Sequence, residues 1–221
     1  MKNKILINHG CGSVRPKGWD NTDSSLNAFF QKAPILGKLM SQFFGTVSYN
    51  SHDVFYMNLN KKWKYHSMSV DVVYASHLFE HLDNKSAALF LKEAFRVLRS
   101  DGVIRLVVPD LYQISQKYLD EYNSSEIANP SKDFLWAINM HVDGQYKEAG
   151  FIKKLIARLQ KYPHQHKYMY DSKSIKLLLE EYGFVDIRFD SYGKSKYIDK
   201  IIDVEGNKES YLSVYIEAKK R

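Results

Sequence analysis

With 221 residues the chain has material for one domain of ordinary size with a substantial core, and too little for two full-sized enzyme domains. Its 44% hydrophobic and 26% charged residues lie near globular averages, which argues against disorder or a fibrous repeat. The single Cys11 excludes an internal disulfide and a paired-cysteine metal framework, no apolar run is long enough for a membrane span, and no signal peptide is recognisable, so a cytoplasmic location is expected.

Residues 4–8 (KILIN) read as a short strand covered on both faces, ending in HGCGS. A second strand is expected at 19–22, after the breakers Pro16 and Gly18. Between 26 and 44 the apolar residues fall largely at helical spacing, interrupted by Pro34, which predicts a kinked amphipathic helix. This helix suits a cover on the sheet, a lid or an interfacial surface. Strands follow at 54–59 and 70–75. A helix carrying Ala87, Phe90, Ala94, Val97 and Leu98 stops at Ser100-Asp101-Gly102, and a strand at 103–108 closes on Pro109. From 111 to 169 the pattern is polar and mostly helical, with no clear strand. A helix at 172–182 ends at Gly183; 184–192 and 211–218 then alternate as strands with a turn at Glu205-Gly206-Asn207 between them, predicting an antiparallel pair. The earlier alternation of strand and helix predicts a parallel α/β sheet, because parallel neighbours need a crossover.

Gly10-Cys11-Gly12 directly after the first strand lets the backbone approach a ligand closely. A dinucleotide site would place a third glycine where Arg15 stands, so pyrophosphate binding is disfavoured. Ser76 and His77 fall just past the fourth strand, at the edge where open α/β sheets hold ligands. His77 and His81 are four apart and suit proton removal, with Glu80 a less favoured base. The pair lacks the HExxH order, and no metal is expected. The formal charge of +7 concentrates in a basic stretch from Lys147 to Lys176, which fits a solvated helical face or an anionic substrate or membrane surface.

The segments INHGCGSVRPKGWDNTD (7–23), SVDVVYASHLFEHL (69–82), LKEAFRVLRSDGVIRLVVPDL (91–111) and HKYMYDSKSIKLLLEEYGF (166–184) together resemble the class I S-adenosylmethionine-dependent methyltransferases. They are most similar to a type 11-like branch often associated with polysaccharide biosynthesis. The resemblance implies a Rossmann-like α/β fold with a seven-stranded sheet, five parallel strands plus an antiparallel terminal pair, in one domain over 1–221 with a helical cap at about 111–170. It implies S-adenosylmethionine contacts from His9, Gly10, Cys11, Gly12, Asp23, Asn58, Leu59, Ser76 and His77. Asp23 would accept hydrogen bonds from both ribose hydroxyls; as a bland alternative it caps a helix. Asn58 departs from the family's usual Asp at the adenine and also suits a turn. The short span from Gly12 to Trp19 departs from the usual first crossover helix. In the cap, Asp143, Tyr162, His164 and Tyr168 accompany the candidate catalytic residues His141, His166 and Tyr170, which join His77 and His81 around the acceptor. The implied reaction is methyl transfer to an oxygen of a saccharide or glycoconjugate, with a small-molecule or saccharide acceptor as the partner. An RNA methyltransferase or a non-catalytic cofactor-binding scaffold is the alternative; DNA is not expected as a partner, RNA is disfavoured, and a homodimer is compatible with the sequence.

Overall fold

The computed structural model describes residues 4–24, 28, 54–124, 129–140, 165–206 and 212–221. Except for Ala28, the helix predicted at 26–44 lies outside the described residues, as do His141, Asp143, Tyr162, His164 and much of the basic stretch.

The described strands form one seven-stranded sheet: β1 (Leu6–His9), β2 (Asp20–Asp23), β3 (Phe55–Tyr56), β4 (Val70–Ser76), β5 (Leu98–Pro109), β6 (Phe184–Asp190) and β7 (Ser213–Lys220), in the order β3-β2-β1-β4-β5-β7-β6. The first five are parallel; β7 runs antiparallel to both β5 and β6. Side-chain alternation divides the core between the two faces. Ile7, Val73, Ala75, Ile104, Leu106 and Val108 join one cluster, whereas Val72, Tyr74, Val103 and Val107 join the other.

Helix α1 (Asn84–Val97) begins where Asp83 accepts a hydrogen bond from the Ser86 amide, and Ala87, Phe90, Leu91, Ala94 and Val97 recur at helical spacing to bury one face. Full burial of each large apolar side chain contributes about 1.5–3 kcal/mol. The same face carries Glu93, which accepts from the Trp63 amide at 2.7 Å and pairs with Arg96 at 2.6 Å. Arg96 in turn donates to the Tyr65 and Trp63 carbonyls, so this ion pair fastens the link between β3 and β4 to α1.

The helix stop expected at 100–102 lies inside β5, which starts at Leu98. Asp101 there has φ 60°, and the β4–β5 register shifts between Val70 and Val72. A Cβ on Gly102 would stand 2.8 Å from the Arg99 carbonyl and 3.1 Å from that of Val70, so its glycine serves close backbone packing within the sheet.

After β5, α2 (Leu111–Asn123) is capped by Asp110 and α3 (Pro130–Ala137) by Asn129 with proline in its first turn. Both leave most of their surface outside the core: Ile114 is the only buried residue of α2, and α3 has none. Asp171 and Ser174 form a reciprocal capping box for α4 (Ser172–Glu181), whose Ile175 and Leu179 enter the main core. The turn expected near 205 is preceded by a short helix, α5 (Ile202–Glu205). Its Glu205 meets Arg105 of β5 at 2.6 Å, and Glu217 of β7 lies 3.3 Å from the same guanidinium. Arg105 and Glu217 are fully buried.

Candidate active site

The strand order turns outward in opposite directions from β1 and β4, which creates a crevice at their carboxyl ends. Pairing of His9 with Ala75 sets the Gly10-Cys11-Gly12 loop beside Ser76 and His77. Gly10 and Gly12 have φ of 66° and 50°, in the left-handed region. A Cβ on Gly10 would press on Leu78 at 3.2 Å, so the loop and the turn after β4 are in direct contact.

Two buried asparagines shape this loop from beneath. The Asn8 amide donates to the Val14 carbonyl and to Asn21 Oδ1, both at 3.0 Å. Asn21 donates onward to the carbonyls of Pro16 and Trp19, and the Cys11 amide donates to the Thr22 carbonyl at 3.1 Å. Arg15 Nε closes the turn on the Gly12 carbonyl at 3.2 Å. Burial, with a smaller contribution from the Asp23 charge, pushes the Cys11 thiol up to about 12, so this cysteine is a packing group and not a nucleophile.

At the end of β4 the chain leaves the sheet through His77, whose φ of 48° is strained for a non-glycine residue; its amide still donates to the Val107 carbonyl at 2.9 Å. The His77 side chain is 37% exposed, with Nδ1 3.2 Å from Glu80 Oε1. Its Nε2 lies 3.3 Å from Ser213 Oγ at the start of β7. Glu80 sits in the 3-10 turn Phe79–His81 and is fully buried. The Nε2 atoms of His81 and His166 each lie 3.9 Å from its Oε1. The Glu80 carbonyl accepts from the amides of Lys167 and Tyr168, which brings the stretch at 165–170 across this turn. Burial holds the His166 imidazole below its ordinary value, against the opposing pull of the Glu80 charge.

The expected residues thus fall into distinct environments. His77, His81 and His166 come together around Glu80. Tyr170 is buried beside Phe79, with ring centroids 5.2 Å apart, and burial raises its phenol far above the ordinary value. His9 points into the core against Trp63, at 4.2 Å between centroids, and its Nδ1 meets Thr22 Oγ1 at 2.6 Å, so only its backbone faces the loop. Asp23 ends β2, and its carbonyl accepts from Met57. Asn58 Oδ1 accepts from the Asn60 amide at 2.9 Å, making it a turn residue with one acceptor direction left for a ligand, while Leu59 belongs to the core. Asn8, Asn21 and Ser213 went unrecognised in the sequence. The asparagines carried the signal of polar residues in short central strands, but Ser213, remote in sequence, carried none.

Strand order, a glycine loop after β1 and a carboxylate closing β2 define a class I methyltransferase architecture. The methyltransferase-domain family matches residues 12–188, and the chain belongs to it. It is a methyltransferase. A search of curated proteins found no match. Among solved structures, a SAM-dependent methyltransferase from Thermotoga maritima is 13% identical, covering 100% of this chain and 84% of that one at a TM-score of 0.49. One from Archaeoglobus fulgidus is 14% identical, covering 99% and 87%, also at 0.49. The CurJ carbon methyltransferase is 13% identical at 0.46, and this chain covers 50% of its length. Among the described residues no helix is long and apolar enough to cross a membrane.

Proposed function

We propose that the enzyme methylates an oxygen of a saccharide or glycoconjugate, with the acceptor held over the carboxyl end of β4 and beneath the helical segment at about 111–170. The observation carrying this reading is the register that sets the glycine loop of β1 against His77 of β4. The backbone of His9, Gly10, Cys11 and Gly12 would hold the amino-acid end of S-adenosylmethionine and Asp23 its ribose, with Asn58, Leu59 and Ser76 around the adenine and sulfur. The residues present fit that group: the loop glycines are already left-handed, and a Cβ on Gly12 would meet nothing nearer than 4.0 Å, which leaves its face open.

When bound, the cofactor supplies an electrophilic methyl on a cationic sulfur, whose C–S bond breaks as the C–O bond to the acceptor forms. Alignment is the first task of the protein, and removal of the hydroxyl proton is the second. His77 is exposed enough to meet an acceptor, and the Glu80 carboxylate behind its Nδ1 would stabilise the imidazolium formed on taking that proton. Tyr170 and the aromatic residues beside it would form the wall of the acceptor site.

The test is transfer of radiolabelled methyl to a panel of oligosaccharides, sugar nucleotides and total RNA, with cofactor binding followed by calorimetry. Label is expected in a saccharide fraction. His77→Gln should lower turnover by about 100-fold or more while cofactor affinity holds, and Asp23→Ala should weaken cofactor binding by about tenfold or more. Label confined to RNA, or undiminished turnover in His77→Gln, would overturn the reading.

A further inference from the structure

We propose that Glu80, His81 and His166 form a binding site for one divalent transition-metal ion of the zinc class. The idea goes beyond methyl transfer and does not depend on the identity of the acceptor. It also departs from the sequence expectation, because the two histidines are brought together from positions 85 residues apart and not from one helix.

Three observations converge. One donor atom from each of Glu80, His81 and His166 lies within 4.8 Å of the others. Glu80 is 0% exposed, yet neither carboxylate oxygen has a hydrogen-bond partner among the described residues; His77 Nδ1 approaches Oε1 to 3.2 Å without hydrogen-bond geometry. A buried carboxylate left in that condition is costly. Finally, the outer nitrogens of both histidines are already engaged. His81 Nδ1 stands 3.1 Å from the Gln165 carbonyl, which can only accept, so this nitrogen carries the proton. His166 Nδ1 meets Met169 Sδ at 3.2 Å, again as the donor. His81 therefore presents a bare Nε2 lone pair toward Glu80 Oε1 at 3.9 Å, and Nε2 of His166, whose ring also has a backbone hydrogen bond with Ile138, stands at the same distance from that oxygen. A lone pair and a carboxylate facing one another repel unless a cation stands between them.

The donor set suits zinc: two imidazoles and a carboxylate leave a fourth position open, and an outer hydrogen bond fixing each imidazole tautomer is the usual support for a metal-binding histidine. Metal bonds of about 2.0–2.2 Å in a tetrahedral arrangement place ligand atoms about 3.4 Å apart, so the two 3.9 Å histidine-to-carboxylate separations contract by about half an ångström and the widest span of the set, within 4.8 Å, by up to about 1.4 Å. The site is held from outside as well, since the Glu80 carbonyl accepts from the amides of Lys167 and Tyr168 and so fixes the segment that carries His166.

The test uses the full chain, stripped with a chelator and dialysed separately against Zn²⁺, Co²⁺ and Mg²⁺, with bound metal counted by mass spectrometry. One equivalent of Zn²⁺ or Co²⁺ is expected in the unaltered protein. Glu80→Gln, His81→Ala and His166→Gln should each weaken retention by at least about tenfold, with folding checked by circular dichroism, whereas the exposed His66→Ala should retain the metal. Nitrogen NMR of the unaltered protein needs no variant: Zn²⁺ should shift Nε2 of His81 and His166 and leave both Nδ1 atoms protonated. Stoichiometric Zn²⁺ that is lost in the three variants, together with these shifts, supports the site. A protein that binds no metal, binds only Mg²⁺, or keeps Zn²⁺ after loss of the histidines overturns it, and a folded Glu80→Gln protein without metal but with unchanged Nε2 environments assigns the cluster to a shared proton instead.

Discussion

His9 illustrates how one residue's surroundings decide its chemistry. Its ring is sealed between Trp63 and Phe90, and burial lowers its pKa from 6.5 to about 3. The unfolded chain binds a proton there below pH 6.5 and the native state does not, so native stability is complete above that value and falls as the pH drops toward 3. The slope from this residue approaches about 1.4 kcal/mol per pH unit. Urea midpoints measured at pH 7.5 and 5.0 should separate more in the native sequence than in His9→Leu; equal separations would refute the assignment. His77 shows the opposite relation between residue and stability. Its left-handed backbone costs about 1–2 kcal/mol for a side chain with a Cβ, so His77→Gly should unfold no earlier than the native protein while losing turnover. Thermal melts paired with the methyl-transfer assay distinguish the two effects.

Among the elements, the loop between β1 and β2 depends on side chains from within the strands. Asn21→Leu removes the donors to the Pro16 and Trp19 carbonyls and the acceptor for Asn8. A loss of about 1–3 kcal/mol is expected, accompanied by weaker cofactor binding because the loop relaxes; calorimetry and denaturation on the same variant check both. The central strands and helices α1 and α4 were legible in the sequence because their periodicity comes directly from burial. The loop supports were not, because an asparagine in a strand reads as a surface residue until its partners are known. Gly102 read as a stop because close packing between β4 and β5 demands the same residue as a turn. The histidines at 77 and 81 were recognisable from their place after β4, but the central position of Glu80 among them arises from segments far apart in the chain. His141, the remaining catalytic candidate, lies outside the described residues.

At the scale of the whole molecule, a buried charge cluster ties the excursion between β6 and β7 to the sheet. Arg105 meets Glu205 and Glu217, and its Nη2 donates to the Ser191 carbonyl at 3.3 Å. Burial already raises the Glu217 pKa, and Arg105→Ala would leave three carboxylates, Asp190, Glu205 and Glu217, without their shared cation. A loss of about 3–5 kcal/mol is expected, recovered in part when Glu217→Gln is added; thermal unfolding of the single and double variants measures the coupling. The placement of β7 between β5 and β6 has a further meaning for biosynthesis. While a nascent chain is still emerging from the ribosome, β6 has been made but its sole neighbour in the sheet has not. Translation must pass residue 213 before that edge can dock and before Ser213 can reach His77. Assembly of the edge beside His77 therefore waits for β7, so a polypeptide truncated before residue 213 cannot bring Ser213 to His77.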